Sequence, residues 1–277
     1  MAHPKDILQQ HGLEPKKSLG QNFLFDENVL RRIVDAAELG PDDAVLEIGP
    51  GLGALTKLLA ETAVSVTTVE LDERFIPILR LALAPYPHVR LVHGDILEQN
   101  PADWFVGPYK VVANVPYYIT GAILRHLLEG AHKPTMMVLT VQKEVAERVT
   151  AVPPHMSLLA VSTQFYGRAE KVADIKAGSF WPAPDVDSAV IRIDLRQTQP
   201  DAAFEKLFFQ VAKAGFSQKR KQLQKNLRQL GLDRPVIEQM LADAGVDGRA
   251  RAETLTIAQW HALTQTYQDV KHHASRT

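Results

Sequence analysis

Apolar positions along the chain follow two rhythms. Up to about residue 195, short apolar runs of strand length alternate with segments in which apolar residues recur every three or four positions; beyond about residue 200 only the second rhythm continues. Ala44–Ile48, Val64–Val69, Val89–Val92, Tyr109–Ala113 and Thr135–Val141 read as buried strands. Helical patterns over Leu52–Glu61, Asp72–Leu83 and Ile119–Leu128 separate them. An earlier amphipathic helix runs from Glu27 to about Glu38, with Asp26 placed to cap it and Gly40 to stop it. Alternation of this kind predicts a mostly parallel sheet covered on both faces. Helical patterns at Lys143–Val149 and from about Met156 to Phe165 lead to two further strands, Glu170–Ile175 and Ser188–Leu195, close-set enough to add an antiparallel edge.

The segment Arg196–Asp201 is polar, contains Pro200 and has no periodicity, so the domain boundary is expected there, dividing residues 1–197 from a helical domain at 198–277. That second domain reads as helices over Ala203–Gly215, Gln218–Leu230 closed by Gly231, Arg234–Ala244 closed by Gly245, and Ile257–Val270. Composition narrows the class. The chain contains no cysteine, which excludes a disulfide framework, a thiolate metal site and a cysteine nucleophile, and fits a reducing compartment. Met1–Glu14 has no apolar core and no later run could span a bilayer, so no membrane partner and a cytoplasmic location are expected. A formal net charge of −1 means that any nucleic-acid surface must be local. No metal site and no oligomer interface are legible; a monomer is expected.

Three strand ends carry the chemistry. The first strand runs into Glu47-Ile48-Gly49-Pro50-Gly51-Leu52-Gly53, where glycines let the backbone approach a ligand. The second ends at Glu70, whose carboxylate can accept both hydroxyls of a ribose, and the third at Asp95, which can accept from an adenine amine. Together these describe a nucleoside-containing cofactor. The spacing of Gly49, Gly51 and Ala54 also satisfies the dinucleotide fingerprint, so an NAD enzyme stays open. Glu47, directly before the glycines, favours S-adenosylmethionine, because an acid there repels a pyrophosphate but suits the amino group of a methionine-type tail carrying a sulfonium. Past a fourth strand stands Asn114-Val115-Pro116-Tyr117, an amide and backbone carbonyls on a stiffened turn beside an aromatic ring. Clustered acceptors next to a π-face suit a planar base with an exocyclic amine, and adenine is the natural candidate.

Gln21-Asn22-Phe23-Leu24, Glu47–Gly53, Glu70, Asp95 and Asn114–Tyr117 fall in the order seen in the ribosomal RNA adenine N6,N6-dimethyltransferases, which the chain resembles over nearly its whole length. Phe180-Trp181-Pro182-Ala183-Pro184-Asp185-Val186-Asp187-Ser188 is similar to that family's later signature, and Phe216–Leu223 resembles the tail of its bacterial small-subunit (16S) branch. Two departures are visible: Val115 where many relatives carry leucine or proline, and Lys219-Arg220-Lys221 where the branch reads Arg-Arg-Lys. The resemblance implies a class I, Rossmann-like methyltransferase domain with a smaller all-α domain appended. It implies that Asn22 and Leu24 contact the donor from the amino-terminal loop, Gly49 its methionine part, Glu70 its ribose and Asp95 its adenine, with Asn114 between donor and target. Tyr117 would stack on one face of the base and Phe180 close the other.

The expected partner is 16S rRNA within the small ribosomal subunit, dimethylated at two adjacent adenosines near its 3′ end. Lys213, Lys219, Arg220, Lys221, Lys225 and Arg228, a stretch without an acidic residue, form the expected phosphate-tracking surface, with Arg249, Arg251 and Arg148 as candidate extensions. Two alternatives remain: the large-subunit (23S) adenine methylase of the macrolide-resistance type, and a ribosome-assembly factor that acts chiefly by binding.

Overall fold

The alternation predicted from the apolar pattern is present in the computed structural model, which describes residues 2–198 and 200–274. In chain order come α1 (Pro4–Gln10), β1 (Phe23–Leu24), α2 (Glu27–Ala36), β2 (Ala44–Ile48), α3 (Ala54–Ala60), β3 (Ser65–Glu70), α4 (Ile76–Leu83), β4 (Val89–His93) and β5 (Lys110–Asn114). They are followed by α5 (Thr120–Glu129), β6 (Met136–Gln142), α6 (Lys143–Val149), α7 (Leu158–Tyr166), β7 (Gly167–Ile175), β8 (Phe180–Trp181) and β9 (Ser188–Leu195). The remaining helices are α8 (Ala202–Gly215), α9 (Leu223–Asn226), α10 (Arg234–Asp243) and α11 (Ile257–Ala274).

Seven strands form one sheet in the order β4-β3-β2-β5-β6-β9-β7. β2 pairs in parallel with both β3 and β5, and the parallel pairing continues to β4 on one side and β6 on the other. β9 then runs antiparallel to β6, with Gln142 opposite Ser188. Strand β2 is the first of this sheet in sequence and lies in its interior, so the winding direction reverses between β2 and β5; ligands of open α/β sheets bind at the carboxyl edge of such a reversal. The strands that flank it are buried nearly throughout, as expected for a sheet shielded by helices. Leu30 and Ile33 of α2 and Leu55 and Leu59 of α3 pack with Val45, Val66, Val112 and Val138 of the sheet. A separate cluster joins Leu8 of α1, Phe23 of β1 and Phe75, Leu79 and Leu83 at α4.

Helix starts follow local chemistry. Asp26 caps α2 by accepting from the Asn28 and Val29 amides at 3.0 and 3.3 Å. The helix expected from Leu52 begins only at Ala54, since Gly53 holds φ +82°, outside the helical region. Likewise the helix expected from Asp72 opens as a 3₁₀ turn, Glu73–Phe75, capped by Asp72, before α4. The helix expected over Gln218–Leu230 is a larger departure. Only Leu223–Asn226 is α-helical, Leu227–Leu230 is a 3₁₀ turn, and residues 216–222 form an irregular turn. Buried Asn226 holds that turn, donating from Nδ2 to the carbonyls of Gly215 at 2.6 Å and Gln218 at 3.0 Å.

The chain divides into two compact units, Met1–Ala146 with Arg168–Leu195, and Glu147–Gly167 with Arg196–Thr277. A single boundary after residue 197 therefore does not describe the molecule, because α7 belongs with the carboxyl-terminal helices. Its Phe165 ring lies 4.3 Å from Phe208 and 5.3 Å from His261, Tyr166 donates its hydroxyl to Glu205 at 2.8 Å, and the Met156 amide donates to the Glu253 carbonyl. Trp260 and Tyr267 of α11 complete this second core.

Candidate active site

All three glycines of the β2–α3 loop adopt left-handed backbone angles, with φ of +68°, +58° and +82° at Gly49, Gly51 and Gly53. Only glycine tolerates such a run without strain. At Gly51 space is limiting as well: a Cβ there would sit 3.0 Å from Cδ1 of Phe23. The loop is tied to β3, the Gly49 amide donating to the Val69 carbonyl at 2.9 Å and the Gly51 amide to Oε2 of Glu70 at 3.1 Å.

Glu70, at the end of β3, also accepts the Asp72 amide on Oε1 at 2.7 Å. Its carboxylate thus locks two loops together, and ribose hydroxyls would use the lone pairs that these amides leave. Burial pushes the carboxyl up to about 7 against the pull of the Asp72 and Gly51 amides. Asp95, past β4, accepts the Leu97 amide on Oδ1 at 2.9 Å and so starts the following 3₁₀ turn. Its side chain remains on the wall of the same pocket as Glu70, Gly49 and Asn114.

Glu47 differs from its neighbours. It is 1% exposed on β2, directly opposite Thr68 of β3. Burial pushes its carboxyl up to about 7, opposed by the hydroxyls of Thr56 and Thr68. Its Oε2 nevertheless completes no hydrogen bond, although the residue lines the pocket. A carboxylate oxygen buried without a partner is costly, and a cationic group such as an ammonium in the adjoining pocket would lower that cost. Together with a loop that has no room for a side chain at Gly51, this fits the methyl donor expected from the sequence.

On the target side, Asn114 ends β5 and donates from Nδ2 to the Asn22 carbonyl at 3.3 Å. That bond fixes which way the amide faces and leaves Oδ1 as an acceptor. Val115 is buried, Pro116 has φ −60°, and Tyr117 starts a 3₁₀ turn. The half-buried Tyr117 ring is pinned by a 2.5 Å hydrogen bond between its hydroxyl and that of Ser188 on β9. Ser188 stands in the later motif, but nothing in its local sequence announces this contact.

Phe180 departs from expectation. It does not line the pocket: β8 pairs antiparallel with β1, Leu24 opposite Phe180, and both side chains enter the core with Leu30 and Ile33. Leu24 also touches the pocket wall, as does Asn22. The sequence reading also missed Asp72 as an anchor. Its carboxylate, 1% exposed, accepts from Arg74 Nη2 at 2.6 Å and from Gln21 Nε2 at 2.8 Å, and Lys16 Nζ lies 3.6 Å away. Gln21 in turn accepts the Lys16 amide at 2.7 Å. The amino-terminal loop that carries Asn22 is thereby fastened to the end of β3. The arginine beside it, with Gln21, holds the Asp72 carboxyl well below the usual carboxylate range.

In the second unit, Lys213 of α8, Lys219, Arg220 and Lys221 of the irregular turn, Lys225 of α9 and Arg228 are all exposed. None of these six side chains has an ion-pair partner among the described residues. They occupy a turn and its flanks rather than one continuous helix face. Arg251, by contrast, lies 3.7 Å from Glu253. Among the described residues no helix is long and apolar enough to cross a membrane, and no group of three His, Cys, Asp or Glu side chains could hold a metal ion.

Comparison with known proteins matches residues 12–269 to the model of a family described as ribosomal RNA adenine dimethylase. A protein of Dehalococcoides mccartyi (strain CBDB1) named Ribosomal RNA small subunit methyltransferase A is 45% identical over 272 residues, covering 96% of this chain and 93% of its own. One of the same name from Bacillus pumilus (strain SAFR-032) is 42% identical over 280 residues, with 95% of each chain covered. Among solved structures, the 23S rRNA methyltransferase ErmE superposes with a TM-score of 0.75 at 32% identity, covering 89% of this chain and 100% of that one. A dimethyladenosine transferase from Plasmodium falciparum gives 0.77 at 23% identity, covering 89% and 98%, a likeness of fold.

Proposed function

This chain belongs to the ribosomal RNA adenine dimethylase family, and from that premise we propose that it dimethylates N6 of two adjacent adenosines near the 3′ end of 16S rRNA in the small ribosomal subunit, in the cytoplasm. It is an S-adenosylmethionine-dependent rRNA adenine methyltransferase with a Rossmann-like catalytic fold. The observation that supports the target assignment is the Asn114 amide, which donates from Nδ2 to the Asn22 carbonyl, leaves Oδ1 as an acceptor and lines one pocket with Tyr117. The small-subunit assignment leans on the curated relatives, 45% and 42% identical over nearly the whole chain and bearing that name.

S-adenosylmethionine, when bound, supplies a methyl group on a sulfonium, activated for displacement. The chain's part is to bind, orient and exclude water. Glu47, buried at the pocket wall, would favour a cationic ammonium nearby, Glu70 and Asp95 offer carboxylate oxygens to hydroxyl and amine donors, and Gly49 and Gly51 let the backbone approach. The lone pair on adenine N6 is delocalised into the ring and nucleophilic only when localised. Acceptance of the N6 hydrogens by Asn114 Oδ1 and the Val115 carbonyl draws that nitrogen toward a pyramidal geometry, and Tyr117 holds the ring plane by stacking. A base must first be splayed out of its RNA context, which costs about a few kcal/mol and least in an unpaired loop.

Two buried acids are expected to make donor binding pH-dependent. Glu47 and Glu70 titrate at about 7 in the folded chain against an ordinary value of 4.5. The folded state therefore keeps protons that the unfolded state releases in between, so the stability these groups contribute is full below that window and falls as pH rises through it. Donor affinity runs the other way, since a cationic tail favours a charged Glu47. The dissociation constant for S-adenosylmethionine is expected to tighten as pH rises from about 6 to about 8, and Glu47→Gln to flatten the dependence. Titration calorimetry at several pH values checks this; an affinity that ignores pH removes Glu47 from the donor site.

The function itself is tested by transferring labelled methyl groups to undermethylated small subunits, with large-subunit RNA alongside, and mapping the modified nucleosides. N6,N6-dimethyladenosine near the 3′ end of the small-subunit RNA is the expected result; label only in large-subunit RNA would favour the activity named for ErmE. In the same assay, Lys219→Ala, Arg220→Ala and Lys221→Ala combined should weaken subunit binding and lower its salt slope by about three, one for each phosphate no longer neutralised. An unchanged slope would place the RNA surface elsewhere.

A further inference from the structure

Beside the target pocket lies a second hollow, walled by Lys17, Ser18, Gly20, Tyr117, Tyr118 and Gln142. Gly20, Tyr117 and Tyr118 form walls of both cavities, so the two adjoin across these residues. Tyr118 is 56% exposed, although Val115 and Thr120 around it are buried. Single exposed aromatic residues are common and mean little by themselves. This one is braced. Gly20 takes φ +60° and lacks a Cβ, and Cδ1 of Tyr118 lies 3.3 Å from where that Cβ would be, so the ring rests on the amino-terminal loop. Lys17, on the same loop, is exposed and its ammonium has no hydrogen-bond or ion-pair partner among the described residues.

An open aromatic ring, an uncommitted cation and a shared wall with an adenine pocket suit one occupant, the next nucleotide of the same strand. We propose that this hollow is a nucleotide subsite in which Tyr118 stacks on the base adjoining the target adenosine and Lys17 meets a phosphate beside it. The inference rests on the proposed substrate, and it deepens it. With two adjacent adenosines to modify, each must be tolerated as neighbour while the other occupies the target pocket. Dimethylation removes both hydrogens from N6, so a subsite that read the Watson–Crick edge would hold the neighbour in only one of its states. Stacking on the ring and pairing with the phosphate hold it in both.

The test compares wild type with Tyr118→Ala, Tyr118→Trp and Lys17→Ala on undermethylated small subunits, reading KM, kcat, donor affinity and the yield at each adenosine. Tyr118→Ala is expected to raise KM for the subunit by about five- to a hundredfold, the effect of removing one base–aromatic stack, with donor affinity within about twofold. Tyr118→Trp should retain a KM near wild type, and Lys17→Ala should raise KM less and most visibly at low salt. An unchanged KM in Tyr118→Ala overturns the proposal, and so does a loosened donor affinity at unchanged KM, which would make Tyr118 a wall of the donor site. If wild type modifies only large-subunit RNA, the substrate reading has failed by itself, and the KM of the same variants on that RNA decides the subsite.

Discussion

Replacing Asn114 by alanine is expected to lower kcat for methyl transfer by about a hundred- to a thousandfold, the usual effect of deleting one preorganised hydrogen-bonding group at a reacting centre. S-adenosylmethionine should still bind within several-fold of wild type, because Glu47, Glu70 and the glycine loop are untouched. The reasoning is local. Asn114 closes β5 in register with Thr140, and its side chain is half-buried, so alanine leaves the strand pairing intact. What disappears is Oδ1, held in place by the bond from Nδ2 to the Asn22 carbonyl. Asn114→Asp separates the two halves of this role: it keeps an acceptor but cannot donate to Asn22, and should fall between alanine and wild type. Single-turnover rates on undermethylated subunits read the effect directly. A rate for Asn114→Ala within about threefold of wild type would show that N6 is not held by this residue.

Asp72→Ala is expected to cost about 2 to 4 kcal/mol of stability, since it strips a buried acceptor from charged hydrogen bonds with Arg74 and from the Gln21 amide. The functional loss should exceed what unfolding explains. Gln21 precedes Asn22, the residue whose carbonyl orients Asn114, so releasing Gln21 loosens the target site from a distance. At temperatures where the variant remains folded, kcat/KM should fall by about tenfold, with Asp72→Asn partly restoring it through the Gln21 contact. Denaturant melts and kinetics on the same preparation check both parts. A variant that melts like wild type would mean that the amino-terminal loop is held by its apolar contacts, through Phe23 and Leu8, and not by this carboxylate.

What was legible in the sequence was local. The β/α alternation, the glycine loop with its obligatory left-handed angles, the acids at the ends of β3 and β4 and the Asn114–Tyr117 turn each announce themselves within a few residues. Contacts between distant segments were not legible. Nothing near Phe180 says that β8 will pair with β1 and carry the ring into the core, and nothing near Tyr117 says that Ser188 will pin its hydroxyl. Glu47 announces itself as an acid before the glycines, but its burial opposite Thr68, which pushes its titration toward neutrality, follows from sheet register alone. The basic stretch at Lys219–Lys221 has the composition of a helix, and buried Asn226 overrides that preference by claiming the carbonyls of Gly215 and Gln218.

The chain passes from one compact unit to the other after Ala146, returns at Arg168, and leaves again after Leu195. Its two parts are therefore interleaved along the gene, and no single cut yields either of them whole. A fragment ending at Leu195 would carry α7 without α8 and α11, leaving Phe165 and Tyr166 without Phe208, His261 and Glu205. Such a fragment would be sticky and prone to aggregate for reasons unrelated to its catalytic half. Exchanging the helical unit between relatives is thus a two-part graft, in which the Glu147–Gly167 insert travels with the tail it packs against.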